Sequence, residues 1–140
     1  MYIGYGEGAL AVLDPESLDR LGDIPLKGHP ESFQLSPVDG SIYVNVPDAK
    51  QIAVVDRKVG RQIASWPATK WAANYPMAID EHNQSVLSVF RKPARMVRCG
   101  VPTTPGSRTG LYSTATDVLF VAARAEGGQD AAVWVLKPTD

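Results

Sequence analysis

Ser41-Ile42-Tyr43-Val44-Asn45-Val46-Pro47-Asp48-Ala49-Lys50-Gln51-Ile52-Ala53-Val54-Val55-Asp56 is the stretch that decides how this chain folds. Two runs rich in β-branched and aromatic side chains flank a polar turn that holds Pro, Asp and Lys. Branched and aromatic side chains suit a pleated, half-buried surface, and Pro and Asp favour turns, so the segment reads strand, turn, strand. The same reading fits Met1 to Asp14, Ser85 to Val97 and Val118 to Leu136.

Three markers give the pattern a period. The first is a six-residue hairpin turn, at Ser36–Ser41, Asp80–Ser85 and Ser113–Val118, each preceded by Leu35, Ile79 or Tyr112. The second is an aspartate closing a strand, Asp14 and Asp56, 42 residues apart. The third is an apolar residue followed by proline: Ile24-Pro25, Trp66-Pro67 and Val101-Pro102. Repeats of about 40 residues made of short strands indicate a β-propeller with one blade per repeat. The expected fold is therefore all-β, a partial β-propeller of three to four four-stranded antiparallel blades. It forms one domain over 1–140, with blades at about 1–27, 28–68, 69–100 and 103–137. Strands are expected near 1–5, 9–14, 19–26, 32–36, 41–46, 51–56, 61–66, 76–80, 85–90, 94–98, 108–112, 118–123 and 131–136. Between Gly100 and Val101 the spacing collapses, so the third blade is expected to lose its fourth strand, with 98–106 running as a loop. The 12 Gly and 11 Pro sit mainly at the expected turns.

Composition narrows the function classes. Hydrophobic residues make up 44% of the 140, enough for a real core, and the net charge of -1 offers no basic field for nucleic acid. One cysteine, Cys99, excludes an internal disulfide, and two distant His with one Cys argue against a zinc site. No metal or cofactor is expected. Met1 to Gly4 has no basic start and no long apolar run, so neither a signal peptide nor a membrane span is expected. As written the chain is expected in the cytoplasm. A fragment of a longer exported protein would read the same way.

The second copy resembles the YVTN-type (YncE-like) bacterial β-propeller repeat, in Tyr43-Val44-Asn45 and Val54-Val55-Asp56. Similar segments are Gly28–Phe33, Tyr75–Asp80, Arg91–Arg95 and Pro105–Thr109. Such proteins are usually seven-bladed, so the resemblance implies a partial or internally deleted member, set against a genuine four-bladed miniature. It also implies a binding face where loops leading into each blade's first strand meet loops between second and third strands.

On that face the candidate ligand-binding residues are His29, Glu31, Asn74, Arg91 and Arg108. Histidine as a residue type has its unperturbed pKa near neutrality, so His29 suits chemistry, with Glu31 placed to orient it. The plainer reading is a loop histidine bonded to a backbone group and a solvated Glu31. Arg91 and Arg108 suit planar recognition of carboxylate or phosphate, against solvated charge. A site with Glu31 paired would be net positive. Trp66 and Trp134 read as packing, and Trp71 as a stacking surface or a core rim. Gly4-Tyr5-Gly6-Glu7-Gly8 lacks the following helix that a phosphate-binding loop needs.

The expected function is a non-enzymatic binding or scaffold module. Its partner is a small anionic ligand or a protein surface, with no nucleic acid and no membrane, and self-association is expected through open blade edges. Lactonase-like or cofactor-binding chemistry is the rival, and a non-functional remnant of a longer protein is the third reading.

Overall fold

The computed structural model describes residues 1–70, 72–81, 85–92, 94–96, 110–113, 115–125 and 128–137, and none of these is helical. Thirteen strands form among them, in four small antiparallel sheets. The first sheet is β1 (Tyr2–Tyr5), β2 (Ala9–Leu13) and β3 (Arg20–Pro25), in that order. The second is β4 (Phe33–Leu35), β5 (Ser41–Val46), β6 (Gln51–Asp56) and β7 (Arg61–Pro67). The third is β8 (Ala72–Asp80), β9 (Ser85–Lys92) and β10 (Ala94–Met96), and the fourth is β11 (Gly110–Ser113), β12 (Val118–Ala123) and β13 (Ala132–Leu136). The chain divides into two compact units, Met1–Thr69 and Lys70–Asp140, with two sheets in each.

In the first unit the apolar residues of the two sheets make one core. Leu10 and Ile24 are partners across β2 and β3, and they bury themselves among Ile42, Val44, Val46, Ala53 and Val55. Each Leu, Ile or Val side chain among them contributes roughly 1.5–3 kcal/mol on burial. Tyr2, Val12, Leu26, Phe33 and Ala49 pack around the core as half-buried cover.

The 42-residue spacing seen in the sequence is a structural repeat. Asp14 Oδ1 accepts the backbone N–H groups of Glu16 (2.8 Å) and Ser17 (2.9 Å). Asp56 Oδ1 accepts those of Lys58 (2.7 Å) and Val59 (3.1 Å). A carboxylate bonding its own chain two and three residues on closes the turn, so the residue type recurs for a physical reason. Each turn ends on a left-handed residue, Leu18 at φ +63° and Gly60 at φ +65°. The repeat extends to a bulge. Val12 pairs with Gly22 and Leu13 with Arg20, which leaves Leu21 as the extra residue. Val54 pairs with Ala64 and Val55 with Gln62, which leaves Ile63.

At the other end of the two sheets, the Leu26 N–H donates to Gly8 O (2.9 Å) and the Ala68 N–H to Lys50 O (2.7 Å). The copies differ in one turn: three residues separate the paired Tyr5 and Ala9, and four separate Val46 and Gln51. Trp66, which aligns with the buried Ile24, is 44% exposed and stacks on Tyr43 of its own sheet, ring centroids 5.1 Å apart.

In the second unit Ala78, Leu87, Val89, Leu119 and Val121 form a separate core, with Tyr112, Trp134 and Leu136 packed against it. The residues that bound the expected hairpin turns pair here, Asp80 with Ser85 and Ser113 with Val118. One boundary needs correction. The strand expected from residue 76 begins at Ala72, so Asn74 is a buried strand residue and not a loop residue. The register shifts between Asn74 and Met77, and Pro76 sits in that irregularity, where its missing N–H removes no ladder bond. The expected loop at 98–106, Cys99 and the lost fourth strand lie outside the described residues, as do Trp71 and Arg108.

Candidate functional site

The expected binding face can be followed within the first unit. The β1–β2 turn, Gly6-Glu7-Gly8, folds against the segment that leaves β3. Gly8 lies at φ +155°, and a Cβ there would stand 2.7 Å from Leu26 O and 3.0 Å from Gly28 N. Only glycine fits so close an approach of backbone to backbone. Gly28 is buried in turn, and a Cβ on it would meet Asp48 Cβ and Val46 Cγ1 at 3.3 Å. Pro30, also buried, lies against Gly4. Three segments therefore converge at one end of the unit: the β1–β2 turn, residues 26–32, and the Pro47–Lys50 turn.

Asn45 ties this end down from below. Its Nδ2 donates to Ser32 Oγ (3.1 Å), its N–H donates to Ser32 O (3.0 Å), and its carbonyl accepts the Glu31 N–H (2.9 Å). Asn45 is fully buried, and a strand interior is an unusual place for asparagine. In the sequence Asn45 stands out only as part of the repeat, since its partner Ser32 is 13 residues away.

His29 is exposed, and its Nδ1 lies 2.6 Å from Gly6 O. A carbonyl can only accept, so Nδ1 carries the proton and Nε2 is left for solvent or a ligand. This is the plainer of the two expectations. Glu31 does not orient the ring: among the described residues no ion pair joins them, and Glu31 is held through its backbone. The exposed side chains of this end are Glu7, Lys27, His29, Asp48 and Lys50, with Glu31 half-buried beside them. Three carboxylates face two lysines, so the first unit does not supply the net positive charge expected of the site.

Asn74 and Arg91 belong to the second unit, on adjacent strands of one sheet, where Asn74 pairs with Phe90. The Arg91 guanidinium lies over the Tyr75 ring, 5.2 Å from its centroid. Its Nε is buried and has no hydrogen-bond partner among the described residues. Cation–π contact of this kind is worth about 0.5–1 kcal/mol or more, so Arg91 is held in place by its neighbour. Among the described residues no three His, Cys, Asp or Glu side chains gather where they could hold a metal ion. Among the described residues no helix is long and apolar enough to cross a membrane.

At the end of the second sheet remote from the loops, Asp39 accepts the Ser41 N–H (2.9 Å) and the Tyr43 hydroxyl (2.9 Å). The Ser36 hydroxyl, the Ser41 N–H and the Tyr43 hydroxyl together hold its carboxyl down to about 2. Burial, then the bond to Asp39, pushes the Tyr43 phenol up.

These features define an all-β protein of small antiparallel sheets with an internal structural repeat. No family model and no curated protein matches the sequence. Among solved structures the chain is similar in fold to Kuenenia stuttgartiensis hydrazine synthase, with a TM-score of 0.76 and 14% identity. The match covers 93% of this chain and 40% of that one, so the chain spans less than half of the neighbour's length. At this identity the likeness concerns the fold alone.

Proposed function

We propose that the chain is a non-enzymatic binding or scaffold module built of propeller-type, YVTN-like blades, with a polypeptide surface received at the loop end. One observation carries this reading. The backbone of that end is locked by glycine contacts and by the Asn45 bonds, while Glu7, Lys27, His29, Asp48 and Lys50 stay exposed. A preorganised surface spends little conformational entropy on binding. Its mixed charges suit a polar protein rim better than a lone anion. The blade reading is supported by the 42-residue recurrence of turn, bulge and closing bond, and by the strand order of each sheet.

Arg91 favours a second reading, a small carboxylate or phosphate in the second unit, since its Nε is buried without an acceptor among the described residues. Titration of labelled protein with inorganic phosphate, followed by NMR, tests the two together. The first reading expects no saturable shift, and the second expects one that Arg91→Ala abolishes and Arg61→Ala leaves. For a captured protein partner, the Asp48→Lys/Lys50→Glu double variant should lose the complex and Arg61→Ala should keep it. Lactone hydrolysis that His29→Ala removes would overturn both readings in favour of an enzyme.

A further inference from the structure

Two large apolar side chains stand in solvent at matching places. Leu21 is 66% exposed and Ile63 is 55% exposed, and each is the extra residue of its bulge. A bulge re-aims the side chain it carries. Neither residue belongs to the core, so burial within the unit does not account for an apolar choice in both copies.

Ile63 also lines an open groove of about 500 Å³ between the end of β3 and β7. Pro25, Leu26 and Lys27 form one wall, and the Gln62–Ser65 segment of β7 forms the other. Lys27 is exposed and makes no ion pair among the described residues. No carboxylate among the described residues lines the groove. β7 is the terminal strand of its sheet, so it has a side open to an added strand. The bulge in its pairing with β6 bends the strand, and the Gln62 amide bonds its own strand at Ala64 O (2.9 Å). A bent, partly covered edge resists flat pairing with an identical strand but leaves room for a short segment.

We propose that this groove receives a short, extended, acidic segment of a partner protein, with an apolar side chain set between Leu26 and Ile63 and a carboxylate on Lys27. Charge selects the occupant: the lining offers one free cation among its described residues and no anion. The groove borders the loop end and shares Lys27 with it, while its β7 wall, Ile63 included, lies outside that end.

The test uses two fluorescent heptapeptides, one alternating Glu with Val and one alternating Lys with Val, followed by anisotropy on the whole chain. The acidic peptide should bind saturably and the basic one should not. Ile63→Ser should weaken binding about tenfold, the scale of losing most of one apolar side chain's burial. Lys27→Glu should exchange the preference between the peptides. Leu21→Ser, an equally exposed change outside the groove, should do nothing, and melting curves will show that the variants are folded. Equal binding of both peptides, no saturable binding, or equal effects at Leu21 and Ile63 would overturn the proposal. So would wild-type self-association that Ile63→Ser abolishes, because the face would then join copies of this chain.

Discussion

Asp39 shows how a single carboxylate can fold a turn. Its bonds to Ser36, Ser41 and Tyr43 hold its carboxyl at about 2, against 3.8 for the free group. A carboxyl depressed in the folded state stabilises the protein fully above its unfolded value and loses that effect as the pH falls through the folded one. Urea melts taken from pH 5 downward should therefore show a loss of stability between about pH 4 and pH 2 that Asp39→Asn lacks. A second residue-scale prediction concerns glycine. Gly6 has a left-handed φ with nothing within 4 Å, whereas Gly8 also faces Leu26 O at 2.7 Å. Gly6→Ala should cost about 1 kcal/mol, and Gly8→Ala about 2 kcal/mol or more, since strain and overpacking add. Denaturant midpoints compare the two. At this scale the sequence was partly readable. Asp14 and Asp56 declared themselves by spacing because their bonds are local. The bond from Asn45 to Ser32 did not, because a strand brings together residues that no local pattern connects.

Each strand element was legible in its hydrophobic run and its turn chemistry, and the hairpin turns pair where those signals place them. The bulges were not legible. Leu21 and Ile63 look like core residues in a linear pattern, and only the register shows that each is an inserted residue turned to solvent. The early start of β8 was hidden by Pro76, which reads as a strand boundary unless a bulge excuses its missing N–H. The repeat also makes a paired prediction. Leu18 and Gly60 occupy the same left-handed turn position, at φ +63° and φ +65°. Leu18→Gly should raise stability by up to about 1 kcal/mol, and Gly60→Ala should lower it by about 1 kcal/mol. Opposite shifts of the thermal midpoint would show that the two turns are one turn used twice.

For the whole molecule, the sequence placed His29, Glu31, Asn74, Arg91 and Arg108 on one face. The structure assigns the first two to one unit and Asn74 and Arg91 to the other, with Arg108 outside the described residues. A spacing argument distributes residues among repeats but does not see that a strand has claimed Asn74. Association between molecules belongs at this scale. β3 and β7 are bent by bulges, but β13 pairs with β12 in unbroken register and ends its sheet. Val133 and Val135 are 63% and 62% exposed along it. A straight apolar edge is a template for another strand. Sedimentation velocity should show self-association that Val135→Lys reduces more than Ile63→Lys does, and a wild-type monomer at all concentrations would contradict this.

The two copies in the first unit agree position for position at the aspartate turn and the bulge, and they differ in length only where three residues in one match four in the other. A protein engineer can treat that contrast as a map. New sequence can be grafted at Gly6–Gly8 or Pro47–Lys50 as a variable cassette, provided the glycine facing Leu26 is kept. The opposite end must be copied intact. A library varied at the Pro47–Lys50 turn should therefore keep most of its members folded, and one varied at Asp56–Gly60 should not.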